Sequence, residues 1–218
     1  MRALRKDITT AATAILALTI LCGILYPLLM TGIGQVAFPG NANGQQVYVG
    51  GRLVGSKLIG QNFGLQVYKD GKPETQNGVP VTNPDPRYFQ GRPSATVPPN
   101  NAASTSFSNY GPNSTITLAA IKSNISAYIQ LNGSYYPGGL TAAKVPVDAA
   151  NTSASGIDPD ISIRNADIQA YRIAAVRHLP LATVRRLISV YTGGRGLGFS
   201  GEPGVDVLEL NLALDRTH

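Results

Sequence analysis

The longest uncharged stretch of this chain covers residues 8–51, and it contains one hydrophobic block, Ile8 to Met30. A short basic flank with a single acid precedes the block: Arg2, Arg5, Lys6 and Asp7. A helix of about 20 mostly apolar residues spans a hydrocarbon core of roughly 30 Å and satisfies its own backbone hydrogen bonds. The pattern therefore predicts one transmembrane helix over residues 8–33.

The basic flank also predicts the orientation of this helix, because Lys and Arg beside a span stay in the cytoplasm. We therefore expect residues 1–7 to form a cytoplasmic tail and residues 34–46 to form a linker. Residues 47–218 would be an extracytoplasmic domain. The expected location is the cell (inner) membrane of a prokaryote, with a single pass and a cytoplasmic N-terminus.

Three other interpretations of the hydrophobic block fit the sequence less well. A cleaved signal peptide has a shorter apolar core and a small-x-small cleavage site, which Gln35-Val36-Ala37 does not supply well. A lipid anchor at Cys22 normally follows a small residue, whereas Leu21 is large. A buried core helix would not need the length and the basic flank seen here.

The composition of the expected outer domain excludes some classes of protein. Without the N-terminal flank, the chain keeps only a mild excess of positive charge, which does not indicate a nucleic-acid-binding face. The one cysteine, Cys22, lies in the membrane block, so the outer domain folds without disulfides. The chain has no Trp and few Phe, so its core depends on Leu, Ile, Val and Tyr.

Several local patterns predict secondary structure in the outer domain. Two glycines at 50–51 between apolar pairs indicate a β-hairpin over residues 47–54. Apolar spacing predicts a helix over residues 115–131. Ser162 is a candidate N-cap for a helix reaching about Leu179, and Pro180 begins another that ends near Tyr191.

The remaining segments complete the predicted fold. Residues 64–113 are rich in Gly, Pro, Asn and Ser, which suits either a functional loop or a flexible insertion; we favour the insertion for residues 66–82. Residues 205–215 alternate Leu with polar residues and predict a half-buried strand. The fold class is α+β: one N-terminal transmembrane helix plus a mixed α/β extracytoplasmic domain with a small sheet and about three helices.

Catalytic and cofactor motifs are weak or missing. Residues 196–201 match the spacing of a dinucleotide-binding loop, but a helix precedes them, which indicates a glycine-rich turn into a strand. The two histidines, His178 and His218, lack partner ligands for zinc, and we expect His178 at a helix end in solvent. Asp158 and Asp160 flank a proline, where solvated turn carboxylates are the common case. We expect no catalytic, metal or cofactor-binding residues.

Five segments, in order, resemble the KdpC family of the Kdp potassium-transporting P-type ATPase, and the resemblance covers nearly the whole chain. They are 55–63 (GSKLIGQNF), 88–95 (YFQGRPSA), 108–113 (SNYGPN), 153–162 (SASGIDPDIS) and 194–215 (GRGLGFSGEPGVDVLELNLALD). The chain departs from the family at a few positions. The family usually has Gly at Ala154, His at Asp160 and Tyr191, and a basic residue at Gly204.

The resemblance implies a non-catalytic accessory subunit of a high-affinity, ATP-driven potassium uptake complex. Its implied partners are a channel-like potassium-binding subunit, a catalytic P-type ATPase subunit and a small single-span subunit. ATP and potassium would act on these partners, and the accessory subunit would stabilise assembly and assist ATP use. The charge rule, however, puts the outer domain away from the side of ATP hydrolysis. We therefore hypothesise that it caps the potassium entrance and influences ATP use through the membrane helices.

Docking residues are expected in the segments rich in Gly, Pro and aromatic residues, because Arg and Tyr are favoured interface anchors. The candidates are Arg87, Tyr88, Phe89, Arg92, Pro93, Asn109, Tyr110 and Pro112. Equally, these segments could hold the domain's own loops in place, and Arg195 could pair with Glu202 across a turn. The alternative functions are a membrane-anchored extracytoplasmic enzyme or solute-binding module, or a small structural anchor.

Overall fold

The computed structural model describes residues 2–76, 78–104, 109–111, 113–196 and 198–217. The chain divides into two compact units, Met1–Leu53 and Val54–His218.

One long apolar helix dominates the first unit. It runs over Arg2–Ala37, and none of it is buried against other parts of the structure. It consists of α1 (Arg2–Leu18), a wide π-helical segment (Thr19–Leu25) and α2 (Tyr26–Ala37). Pro27 has no amide hydrogen and its ring crowds the preceding turn, which accounts for the widened segment. The predicted long apolar helix is confirmed, and the membrane limits 8–33 inside it stay a prediction.

Beyond the long helix, the chain turns at Phe38 and forms the short helix α3 (Pro39–Ala42) within the predicted linker. Strands β1 (Gln46–Val49) and β2 (Arg52–Ser56) then pair in a hairpin. Both turn residues, Gly50 and Gly51, have positive φ angles of 57° and 79°. Only glycine adopts this pair of conformations without strain, so the predicted hairpin and its turn are confirmed.

A β-arm replaces the flexible insertion that we favoured for residues 66–82, and that interpretation is wrong. The arm is built from three antiparallel pairs: β3 (Gly64–Gln66) with β8 (Thr82–Pro84), β4 (Tyr68–Lys69) with β5 (Lys72–Pro73), and β6 (Thr75–Gln76) with β7 (Val79–Pro80). At their junction, the Gln66 side-chain amide donates to the carbonyl oxygens of Val67, Glu74 and Val81 at 2.9, 3.1 and 3.2 Å. One glutamine therefore joins the three pairs.

Helices make up most of the second unit after the arm. They are α4 (Thr115–Asn132), a 3₁₀ turn (Ala142–Lys144), α5 (Val147–Ala150), α6 (Ile163–Arg177) and α7 (Leu181–Val190). The Ser162 hydroxyl accepts a hydrogen bond from the Asn165 amide at 3.1 Å, so the predicted cap is confirmed. Pro180 precedes α7 as predicted, and His178 ends α6 in the left-handed conformation.

The predicted strand over residues 205–215 is wrong beyond its first two residues. Strand β10 (Gly204–Asp206) pairs with β9 (Asp160–Ser162), and helix α8 (Val207–Asp215) follows at once. The Asp206 carboxylate caps α8 by accepting the Glu209 amide at 2.7 Å. The buried positions Val207, Leu210, Asn211 and Leu214 recur at helical spacing, and only two of the four alternating leucines lie on this stripe.

The core of the second unit lies between helices α6, α7 and α8 and the β9–β10 pair. It contains Phe89, Ile161, Ala166, Ala170, Ile173, Val184, Ile188, Val205, Val207, Leu210 and Leu214. The glycine-rich segment 191–203 connects α7 to β10, as we interpreted it from the sequence. The α+β class is confirmed, with several two-stranded sheets and four longer helices, α4, α6, α7 and α8.

Asp206 generates a prediction about pH. Burial raises its pKa to about 6, and the nearby Glu209 and Asp160 carboxylates raise it too, while Lys57 opposes them. An unfolded Asp titrates near 4, so ionisation costs stability in the folded state. This cost is absent below about pH 4 and grows as the pH rises through about 6.

Asp206→Asn keeps a side-chain oxygen for the cap and removes the charge. We expect this variant to be about 1–2 kcal/mol more stable than the parent near pH 7.5, and equally stable near pH 4. Urea unfolding of the full chain in mild detergent, followed by circular dichroism, measures the difference. Glu202→Gln, at an exposed position, is the control and should leave the pH dependence unchanged. Equal stability of Asp206→Asn and the parent near pH 7.5 would contradict the prediction.

Candidate functional site

Arginines of helix α6 hold the loop that contains the first docking candidates. The Arg172 guanidinium donates from Nη1 to the carbonyl oxygens of Pro86 and Tyr88, the latter at 3.1 Å. The Arg177 Nε donates to the carbonyl oxygen of Arg87 at 2.7 Å. Three consecutive carbonyls of the loop are thus bound by two side chains of one helix.

Two buried amide side chains hold the next two residues of the same loop. Asn211 of α8 accepts from the Phe89 amide at 2.9 Å and donates to the Phe89 carbonyl at 3.0 Å. Gln169 of α6 makes the same pair of bonds with Gln90, at 2.8 and 3.0 Å. Each amide therefore pairs with the backbone as a neighbouring strand would. Every carbonyl from residue 86 to residue 90 has a side-chain donor from α6 or α8.

Arg172 is a fully buried cation whose described hydrogen-bond partners are neutral oxygens. Besides the loop carbonyls, it donates to Asn132 Oδ1 and to Gln169 Oε1, both at 2.9 Å. Burial lowers its pKa to about 10, which still leaves it charged at neutral pH. Oxygen dipoles from three parts of the unit replace its hydration shell. Our sequence reasoning missed this residue, although an arginine beside Ala170 and Ile173 in an apolar helix face was the available signal.

The docking candidates in this loop differ in their access to the surface. Phe89 has 0% exposure and belongs to the core, so we remove it from the docking residues. Tyr88 is half-buried, with the Arg177 guanidinium 4.8 Å from its ring centre and its hydroxyl 3.1 Å from Asp215. Arg87 is exposed, and its guanidinium lowers the pKa of the buried Asp85 carboxyl through a 2.7 Å bond.

Arg92 also makes an internal contact. Its guanidinium binds the Asp158 carboxylate at 2.8 Å. We expected this carboxylate to be freely solvated, but it is paired. Close by, the Ser94 hydroxyl donates to the Gly156 carbonyl at 2.6 Å. The Gly60 amide donates to the Ile157 carbonyl at 2.8 Å. Segments 55–63, 88–95 and 153–162 therefore meet in one network.

This network supports the interpretation that the shared segments hold the domain's own loops in place. Segment 194–215 is part of the same network. The Asn211 side chain donates to the Phe89 carbonyl, and Glu209 forms an ion pair with Lys57 at 2.6 Å. Within segment 194–215, Arg195 binds Glu202 at 2.9 Å across the turn, as predicted. That pair is largely exposed and adds little stability.

Pro93 and Tyr110 lie on a groove beside the N-terminal half of α4, which we call the α4 groove. Its volume is about 520 Å³, and residues 93–95, 116–121 and 151–154 supply most of its lining. Tyr110 and Ile116 are 53% and 57% exposed, and in α4 only Asn132 is buried. Asn109 is exposed beside Tyr110, whereas Pro112 lies outside the described residues.

The described lining of the α4 groove is uncharged. It consists of Pro, Ser, Ala, Tyr, Ile, Thr and Asn, which supply no carboxylate, imidazole or thiol. Such a lining suits apolar and hydrogen-bonding contact with a polypeptide better than acid–base chemistry. Within the described residues, no three or more His, Cys, Asp or Glu side chains are grouped to hold a metal ion.

The buried arginine gives a stability prediction. Arg172→Met removes the donor that binds two loop carbonyls and two side-chain amides. The Pro86 carbonyl and Asn132 Oδ1 then lose their described donor, whereas Gln90 still donates to the Tyr88 carbonyl and to Gln169 Oε1. We expect a loss of about 3–5 kcal/mol in the free energy of unfolding, or failure to fold. Urea unfolding followed by circular dichroism measures it.

The matched control for Arg172→Met is Arg185→Met. Arg185 lies in α7 and pairs with Asp167 at 2.7 Å on the surface, so its replacement should cost less than about 1 kcal/mol. If the two variants lose similar stability, the buried network does not have the importance assigned to it.

Comparison with known proteins matches residues 8–216 to the family described as KdpC, the c chain of K⁺-transporting ATPase. Three similar proteins are each named potassium-transporting ATPase KdpC subunit. The one from Methylococcus capsulatus is 45% identical over 206 residues, 94% of this chain and 95% of its own. The one from Herminiimonas arsenicoxydans is 39% identical over 216 residues, 99% and 100% of the two chains. The one from Mycobacterium tuberculosis is 40% identical over 214 residues, 98% and 100%.

Proposed function

Because the chain belongs to the K⁺-transporting ATPase c-chain family, we propose that it is the non-catalytic accessory subunit of an ATP-driven potassium uptake complex. The full-length similarity to potassium-transporting ATPase KdpC subunits carries this proposal. The uncharged lining of the α4 groove supports it, since this surface suits docking rather than catalysis. The long apolar helix supports a place in the membrane.

The proposed partners are a channel-like potassium-binding subunit, a catalytic P-type ATPase subunit and a small single-span subunit. ATP and potassium act on those partners, and this chain stabilises their assembly. We place its second unit outside the cell membrane, because the basic residues Arg2, Arg5 and Lys6 precede the helix. From there it caps the potassium entrance of the channel-like subunit. Its influence on ATP use is then a coupling free energy carried through the membrane helices.

We assign the docking of partner polypeptide to the α4 groove, together with the exposed candidates around it. Pro93, Asn109 and Tyr110 remain docking candidates, and Arg87 remains one because its side chain is 58% exposed. Tyr88 and Arg92 contribute mainly to the internal network, through Arg177 and Asp158. Apolar residues at the centre of such a surface contribute most to affinity when they are fully covered.

Purification through this chain tests the proposed function directly. We expect two large multi-span membrane proteins to co-purify with the full chain, together with potassium-stimulated ATPase activity. The chain alone should hydrolyse no ATP. Recovery of the chain without these partners, or hydrolysis by the chain alone, would contradict the proposal.

The α4 groove gives a prediction about assembly. Ile116→Asp places a charge in an apolar surface that the partner covers, and we expect a loss of at least about tenfold in co-purified partner. Val147→Asp is the matched control, because Val147 is 78% exposed and lies outside the groove. The folding of both variants is checked by circular dichroism. Equal recovery of partner by the two variants would remove the groove from the interface.

The proposed orientation has its own test. A tag at the C-terminus should be cut by protease added to intact spheroplasts, because the second unit is assigned to the outer side. Protease added to inverted vesicles should leave the tag intact. Protection of the tag in spheroplasts would place the second unit on the inner side of the membrane. The family membership would still hold.

A further inference from the structure

The uncharged stretch of the sequence continues well beyond the residues needed to span a membrane. The long helix has 36 residues, about 54 Å at the usual rise, whereas the hydrocarbon core is about 30 Å thick. After Asp7, the next charged residue is Arg52, inside the β1–β2 hairpin. The end of α2, helix α3 and strand β1 therefore contain no charge, although all three are largely exposed in the structure.

The chain does not run straight away from the helix end. Phe38 leaves the helical conformation, and α3 folds back on the last turns of α2. Gln35 and Asn43 exchange side-chain hydrogen bonds at 3.1 and 3.3 Å, which holds this turn. Strand β1 begins at Gln46, three residues after Asn43, and three extended residues reach at most about 10 Å. The hairpin is therefore tied close to the C-terminal end of the membrane helix.

The hairpin carries exposed apolar side chains on one face. Its two-residue turn places Tyr48 opposite Leu53, and side chains of opposite residues share a face. Tyr48 is 55% exposed and Leu53 is 51% exposed. Val36, in the last turn of α2, is 86% exposed, and Phe38, directly after α2, is 62% exposed. These four side chains leave a large apolar area uncovered in the first unit.

The types of these residues match the headgroup layer of a bilayer. A tyrosine places its ring among acyl chains and its hydroxyl among polar headgroups. Arg52 lies opposite Val49, on the other face of the hairpin, and does not share the Tyr48–Leu53 face. We propose that the Tyr48–Leu53 face of the hairpin lies in the lipid interface of the leaflet at the C-terminal end of the helix. The hairpin is then a second membrane contact, which limits rotation and tilt of the helix.

The chain has no tryptophan, so one substitution creates a unique fluorescent reporter. Tyr48→Trp and Leu53→Trp are made separately in the full chain, which is reconstituted into phosphatidylcholine vesicles. Part of the lipid is brominated, either near the headgroup end or near the methyl end of its acyl chains. We expect blue-shifted emission and a loss of intensity with the shallow bromines, larger than with the deep ones. Acrylamide in the aqueous phase should quench both variants weakly.

Tyr68→Trp and Tyr26→Trp are the matched controls. Tyr68 is 64% exposed but lies beside Lys69 and Asp70, so we expect quenching by acrylamide and none by lipid. Tyr26, inside the apolar helix, reports a residue within the bilayer. If Tyr48→Trp behaves like Tyr68→Trp, the hairpin is in water and the proposal fails. Deep-bromine quenching of Tyr48→Trp that exceeds its shallow-bromine quenching would overturn the interfacial position.

A final experiment separates lipid from a protein partner as the occupant of this face. A photo-crosslinking amino acid is placed at position 48 in cells, and the membranes are irradiated. We expect lipid adducts, detected by mass spectrometry of the purified chain. A discrete adduct with another polypeptide, without lipid adducts, would show that protein covers the hairpin and would overturn the proposal.

Discussion

The fold of the second unit depends on one buried cation. Arg172 has no carboxylate among its described partners, and it stays charged because backbone and amide oxygens surround it. Its partners come from α4, from α6 and from the loop at residues 86–90, so one side chain fixes three elements. Asn211 and Gln169 extend this arrangement along the loop. Burying the Arg172 charge without these oxygens would cost free energy. The charge therefore favours the one arrangement of the surrounding chain that supplies them.

This arrangement changes the role that we assign to the segments that resemble the family. Phe89, Arg92 and Gly60 lie where separate parts of the domain meet, so their chemistry serves the domain itself. A motif rich in Arg and aromatic residues looks the same in sequence whether it anchors a partner or a loop. The structure separates the two possibilities by burial and pairing. It leaves the α4 groove, with Tyr110 and Ile116 exposed, as an uncharged surface among the described residues.

Local rules predicted the parts of the fold that local interactions determine. The long apolar helix, the glycine turn at residues 50–51 and the Ser162 cap each depend on neighbouring residues. The strand prediction for segment 205–215 failed because it relied on the alternating leucines alone. It overlooked the helical spacing of Val207, Leu210, Asn211 and Leu214 and the N-cap at Asp206. The β-arm was not predicted because its strands are only two or three residues long and a side chain, Gln66, joins them. Phe89 was misplaced because its burial depends on Asn211, which is 122 residues away.

The absence of charge over residues 8–51 has two physical consequences for a subunit of a potassium-transporting ATPase. Within the membrane span, an uncharged helix can pack against lipid or against another helix without exposing a charge to hydrocarbon. Beyond the span, the absence of charge removes the electrostatic reason for the chain to leave the interface, so the linker can remain beside the bilayer. An accessory subunit acts through its position, and a helix alone leaves rotation about its axis free. The proposed lipid contact of the hairpin, which follows the turn held by the Gln35–Asn43 pair, supplies the missing constraint, because it selects one side of the helix.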